Sequence, residues 1–191
     1  MANCIKLHTY FFIGKTLMQL SRVRVLTECG MLLATAMALS NFKLFQMPSG
    51  GSVSLGPLPL LLIAARHGAK AGILSGGLLG ILLLTTRPFI VHPLQFLLDY
   101  PLANASLGLA GLVIWDTPLK AATATTLANL LRLHFHVVAG AVFFVTDQSS
   151  LTKMMLASYA YNIGHILPET IICAILAGYL AYNHKELCAR Q

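Results

Sequence analysis

The stretch HPLQFLLDYPLANASLGLAGLVI, from His92 to Ile114, decides how this chain folds. It is long enough as a helix to cross the roughly 30 Å hydrocarbon layer of a bilayer, which takes about 20 residues. Its single formal charge is the Asp99 carboxylate. An ionisable group inside a span costs about 2.5–3.5 kcal/mol on insertion scales, so it needs a partner, a cavity or a task. His92, Gln95 and Asp99 are spaced i, i+3 and i+7 on one helical face, with Tyr100 adjacent. Trp115 follows as an interfacial ring, and Asp116, Thr117 and Pro118 mark a helix stop.

The same pattern extends in both directions. Spans are expected at about 25–42, 55–65, 71–86, 92–114, 120–145 and from about 152 to near Tyr182, giving an all-α integral membrane protein with six transmembrane helices. The 55–65 run contains Pro57 and Pro59 and is short, which suits a tilted or incompletely spanning helix. Gln46 to Ser52 is a mobile loop rich in Pro and Gly, and Arg66 to Lys70 is a tight polar turn. Gly72, Ser75, Gly76, Gly77 and Gly80 permit close helix approach. Residues 1–22 form a basic lead-in, cytoplasmic or interfacial, 23–183 the six-helix substrate-binding domain, and 184–191 a short cytoplasmic tail.

Composition agrees. Hydrophobic residues make up 57% and charged residues 10% of the 191, with mean hydropathy +0.74, whereas soluble domains carry about 25% charged residues. With six spans and no Gly-x-x-x-x-Gly-Lys-Ser/Thr loop, the chain has no room for an ATP-binding domain. The pI near 9.5 reflects basic residues scattered between apolar runs, which argues against nucleic acid and for topology signals. Lys6, Lys15, Arg22, Arg24, Arg66, Lys70, Lys120, Lys185 and Arg190 lie on one side, against Lys43, Arg87 and Lys153 on the other. By the positive-inside rule both termini are cytoplasmic. Cys4, Cys29, Cys173 and Cys188 have no C-x-x-C spacing and read as packing thiols, so neither a zinc site nor a disulfide framework is expected.

Two further spans carry polar stripes. Arg132 and His136 are spaced i, i+4, with Phe143 returning to that face, and Asn162, His165 and Glu169 repeat i, i+3, i+7 beside Tyr159 and Tyr161. The stripes either pair with one another, for example Asp99 with Arg132 or His136, or enclose a shared polar cavity facing outward. Such a cavity suits a cationic, aromatic, hydrogen-bonding ligand. Catalysis is disfavoured: Ser49 and Ser52 lie in a flexible loop, His-Glu-x-x-His is absent, and His134 and His136 fall on different helical faces. Gly30, Ala34 and Ala38 form a small-xxx-small stripe that would let another helix approach closely.

The segments Leu44–Leu55, His92–Leu112, Arg132–Phe144 and Tyr161–Glu169 resemble the thiamine-specific S components of energy-coupling factor (ECF) transporters, the YuaJ/ThiT family, over about Arg24 to Tyr182. The resemblance implies a high-affinity thiamine-binding subunit, multi-pass in the bacterial cytoplasmic (inner) membrane. It would need no cofactor of its own and would work with a T subunit and two ATPase subunits that use ATP. It further implies that Asp99 holds the aminopyrimidine with Tyr100 beside it, that His136 and Phe144 contact the thiazolium, and that Asn162 adds a hydrogen bond. Gln95, Tyr161 and Glu169 complete the expected substrate-binding set. Met47, Gly50, Gly51 and Ser52 would form a lid, and Gly30, Ala34 and Ala38 would dock the T subunit. Some relatives carry glutamate and tryptophans where this chain has Asp99, Phe144 and no loop tryptophan. The alternatives are an S component for another vitamin or a thiamine precursor, an autonomous secondary carrier, or an intramembrane enzyme.

Overall fold

The computed structural model describes the backbone of residues 2–47, 51–86, 88–145 and 150–190, and within these the side chains from residue 22 onward. The elements are α1 (Ala2–Asn41), β1 (Lys43–Gln46), β2 (Ser52–Ser54), α2 (Pro57–Leu83), α3 (Pro93–Leu97), α4 (Ala103–Leu107), α5 (Pro118–Phe143), α6 (Leu151–Asn183) and α7 (Lys185–Cys188). A π-helical turn at Leu98–Leu102 joins α3 to α4, and a 3-10 turn at Gly108–Leu112 follows. The chain is a multi-pass membrane protein, with six helical segments ahead of the short α7 among the described residues.

Three of these segments are long and apolar enough to cross a membrane unbroken: Arg22–Asn41, Pro118–Phe143 and Leu151–Asn183. The other three are the two arms of α2 and the composite segment 93–112. Within α2 the one non-helical residue is Gly68, at φ 82° and ψ 172°, a backbone region that glycine reaches without the usual steric cost. A Cβ on Gly72 would stand 2.7 Å from the Ala64 Cβ. Eight residues of straight helix measure about 12 Å, so the arms fold back on one another about Gly68. The expected polar turn at 66–70 is thus one residue wide. Its first arm, 57–67, measures roughly 16 Å, too short to span, as its length in the sequence suggests. Pro57 stands at the first turn, where a missing N–H costs nothing.

The glycines of the second arm meet the composite segment in antiparallel register. Cβ atoms on Gly72, Gly76 and Gly80 would stand 2.7 Å from Gly108 Cα, 2.3 Å from Asn104 O and 2.3 Å from Tyr100 O, whereas Gly77 faces open space. Pro101, within the π turn, has no N–H to donate, and the local widening carries Asp99 and Tyr100 on it. α5 and α6 begin at the side-chain caps Thr117 and Ser150, which accept from Lys120 N and Lys153 N.

Several expectations change. The first span has no break at its amino end, because α1 is continuous from Ala2. The loop after it contains an antiparallel hairpin pairing Phe45 with Val53 and Gln46 with Ser52. Gly50 and residues 146–149 lie outside the described residues. Trp115 is not interfacial: it is 3% exposed, and its Nε1 donates to Ala110 O at 3.3 Å. The ring's N–H finds its partner on the preceding turn, which lets the whole indole be buried.

The larger core, rich in alanine (Ala36, Ala64, Ala110, Ala121, Ala177), runs from the end holding Gly68, Trp115 and α7 up to the cavity described below, where its Leu79 is a wall residue. At the Gly68 end Glu28, unremarked in the sequence, lies 3.2, 2.8 and 3.1 Å from Arg24, Arg66 and His67. Arg66 also donates to the Glu186 and Leu187 carbonyls, and Arg190 to Gly111 O, so the carboxyl tail packs back on the hinge. Cys188 and Cys173 are buried. A smaller cluster, Leu133, Val137 and Ile166, lies between α5 and α6. Exposed Leu26, Leu74, Leu127, Leu156 and Ile175 give the outside an apolar surface suited to lipid.

Candidate functional site

At the end opposite Gly68, where the short first arm of α2 leaves room, a cavity of about 1020 Å³ opens beneath the hairpin. Helical periodicity builds two of its walls. α5 contributes Arg132, His136 and Gly140, four residues apart, followed by Phe144 just past its end; α6 contributes Ser158, Tyr161, Asn162, His165 and Glu169. The composite segment adds Gln95, Asp99, Tyr100 and Asn104, and the hairpin adds Lys43, Gln46, Gly51, Ser52 and Ser54.

All eight expected substrate-binding residues, Gln95, Asp99, Tyr100, His136, Phe144, Tyr161, Asn162 and Glu169, line this one cavity. Of the expected lid residues, Gly51 and Ser52 line it, Met47 packs toward Gly164, and Gly50 lies outside the described residues. His92 and Phe143 leave their stripes. His92 caps α3, its Nδ1 accepting from Leu94 N at 3.1 Å, and stacks on Phe143 at 5.0 Å. Cap geometry sets the direction of His92, which helical spacing cannot do for a residue outside the helix.

Asp99 is the chemical centre. Gln95 Nε2 donates to its Oδ2 at 2.8 Å, and His136 Nδ1 lies 2.9 Å from its Oδ1. An ionised carboxylate accepts at about four lone-pair sites, so acceptor capacity remains for a ligand. Gln95, 1% exposed, is fixed in turn by accepting from Val91 N at 3.2 Å. The two possibilities for the stripes thus coexist: Asp99 pairs with His136, Arg132 pairs with Glu169, and both pairs face the same cavity. Glu169 spends its oxygens on protein partners, accepting from Arg132 at Oε2 and from Ser54 N and Oγ at Oε1, at 2.9 and 3.1 Å.

Phe89 was not among the expected residues. It stacks on Phe144 at 5.7 Å, and its backbone is held by the Tyr100 hydroxyl, which accepts from Phe89 N and lies 3.3 Å from Phe89 O. It sits in a link after Pro88 with no periodicity of its own, so no local signal marks it. Ser54, Lys43 and Asn104 are also unforeseen wall residues. Gly51, at φ 70°, lies against His165, whose ring a Cβ would approach to 2.8 Å. Two wall serines donate to protein acceptors, Ser54 to Glu169 Oε1 and Ser158 to Val137 O. The arrangement suits binding: a carboxylate for a cation, stacked rings for a flat heterocycle, and amide and hydroxyl groups to orient it.

Gly30, Ala34 and Ala38 are exposed on α1, and a Cβ on Gly30 would meet nothing within 4 Å. The small-residue stripe therefore faces away from the bundle.

Residues 26–189 match the family model described as thiamine transporter protein (Thia_YuaJ). The chain is 35% identical over 179 residues to the thiamine transporter ThiT of Bacillus subtilis, covering 85% of this chain and 90% of that one. It is 27% identical to the thiamine transporter ThiT of Lacticaseibacillus paracasei over 82% and 86% of the two chains. A solved structure of ThiT from Listeria monocytogenes shares the fold at a TM-score of 0.74 and 24% identity, covering 88% of this chain and 99% of that chain. The chain belongs to the Thia_YuaJ family of thiamine transporter proteins, a family of transporters rather than enzymes.

Proposed function

We propose that this protein is the S component of an ATP-driven energy-coupling factor transporter, capturing thiamine from outside the cell. The observation that carries the ligand is Asp99, held by Gln95 and His136 on the wall of a cavity whose rim is the Phe89–Phe144 stack. Thiamine joins a cationic thiazolium to an aminopyrimidine. A carboxylate and aromatic faces favour the cation, and Asp99, Asn162 and the tyrosines offer the hydrogen-bonding groups a heterocycle needs. In this reading Asp99 takes the aminopyrimidine, Tyr100 packs beside it, and His136 and Phe144 lie at the thiazolium.

Coupling to a T subunit and two ATPase subunits is what the family resemblance implies, and the exposed Gly30, Ala34, Ala38 stripe, which lets a second helix approach closely, supports it, as does the lack of a phosphate loop in this sequence. The nine-to-three split of basic residues supports a cytoplasmic Gly68 end and an outward-facing cavity in the bacterial inner membrane. The experiment has two parts. Calorimetry on the purified chain is expected to give tight thiamine binding with the ligand recovered unchanged. Liposomes containing this chain alone are expected not to accumulate thiamine. Uphill uptake without ATP would replace this reading with an autonomous carrier, and no thiamine binding would remove the ligand assignment.

A further inference from the structure

The hairpin over the cavity is too small to hold its own position. Its strands have four and three residues, and β1 is exposed along its whole length. Two strands alone are marginal in water, so what fixes them lies elsewhere. β2 is buried at Val53 and Ser54, and the Ser54 contact is a single carboxylate, that of Glu169 on α6.

We infer that Glu169 is a positioning residue, which anchors the return strand of the hairpin over the cavity and does not touch the ligand. Glu169 is 1% exposed, and a buried carboxylate needs a full set of partners. Protein groups supply them. Oε1 accepts from both the backbone N and the Oγ of Ser54, a grip on one residue from two directions that fixes its position and its rotamer. Oε2 accepts from Arg132 on α5, which offsets the charge. Ser54 Oγ also accepts from Gly56 N at 3.4 Å, carrying the anchor to the start of α2. One carboxylate thus joins α5, α6, the hairpin and the first arm of α2. Asp99, by contrast, is held by Gln95 on the composite segment and His136 on α5. The two cavity carboxylates divide the work, with Asp99 for the ligand and Glu169 for the strand above it.

The inference refines the thiamine reading and depends on it only for its kinetic arm. The full chain is compared with Glu169→Gln, Ser54→Ala and Ser54→Thr. Backbone hydrogen exchange of residues 52–54 is followed in thiamine-free protein, and thiamine association and release are timed separately. Losing a charge-assisted hydrogen bond is expected to raise exchange at 52–54 and the release rate by roughly tenfold or more without slowing association. Ser54→Thr, which keeps the hydroxyl, is expected to restore both. A Glu169→Gln protein that releases thiamine faster with unchanged exchange at 52–54 would make Glu169 a ligand contact and overturn the inference. If Glu169→Gln does not fold because Arg132 loses its partner, the double variant Arg132→Gln, Glu169→Gln, which removes both charges together, decides: unchanged exchange at 52–54 overturns the anchor. A wild-type chain that fails to bind thiamine would end the ligand assignment, with the exchange arm still deciding the anchor.

Discussion

Asp99 illustrates how one residue is tuned by its neighbours. Its carboxylate is oriented from both sides, by Gln95 at Oδ2 and His136 at Oδ1, and Gln95 is itself pinned to the 88–91 link. Asp99→Asn preserves the shape but removes the charge and half the acceptor capacity. Losing a charge-assisted contact of about 1.5–3 kcal/mol is expected to weaken thiamine binding roughly ten- to hundredfold, as measured by calorimetry on protein whose thermal stability is checked in parallel. Wild-type affinity in that variant would remove Asp99 from the ligand's first contacts.

At the scale of elements, the position of Asp99 depends on glycines of the neighbouring helix. Gly72, Gly76 and Gly80 let the second arm of α2 approach the composite segment until backbone meets backbone, and that approach sets where the π turn carrying Asp99 and Tyr100 stands. Gly76→Val places a branched side chain where Asn104 O would lie 2.3 Å from the new Cβ. A destabilisation of at least about 1–3 kcal/mol is expected, read as a lower thermal midpoint together with weaker ligand binding. Gly77→Ala, one residue on and facing open space, is the control. It is expected to be neutral or to stabilise by about 0.5–1 kcal/mol, because alanine loses less backbone entropy in a helix.

The whole molecule is divided along its length. One end is closed by the alanine-rich core, the Glu28 ion cluster and the returning tail; the other holds the polar cavity under the hairpin. The stripe on α1 belongs to neither, since Gly30, Ala34 and Ala38 face outward. Ala34→Trp should therefore leave thiamine binding near wild type while abolishing uptake in cells that supply the partner subunits, because a bulky side chain holds two helix backbones apart. Lost binding in a folded Ala34→Trp protein, with complex assembly intact, would place the stripe in the bundle after all.

Much of this was present in the sequence by itself. Hydropathy and spacing are local properties, so the six helical segments, the short run at about 55–65, the small residues of the third span and the polar stripes of α5 and α6 could all be read residue by residue. The stripes even carried the right wall residues, because a helix of fixed pitch puts Arg132 and His136, or Asn162, His165 and Glu169, on one side wherever it packs. Only the tertiary structure could decide which stripe pairs with which, since Asp99 to His136 and Arg132 to Glu169 are contacts across 37 residues of chain each. It also brought in Phe89 and Ser54, whose segments have no period to announce a face, and withdrew His92 and Trp115, whose directions are set by a helix cap and by a carbonyl on the preceding turn. Periodicity tells which side chains share a side; what that side meets is settled by the packing of the other helices.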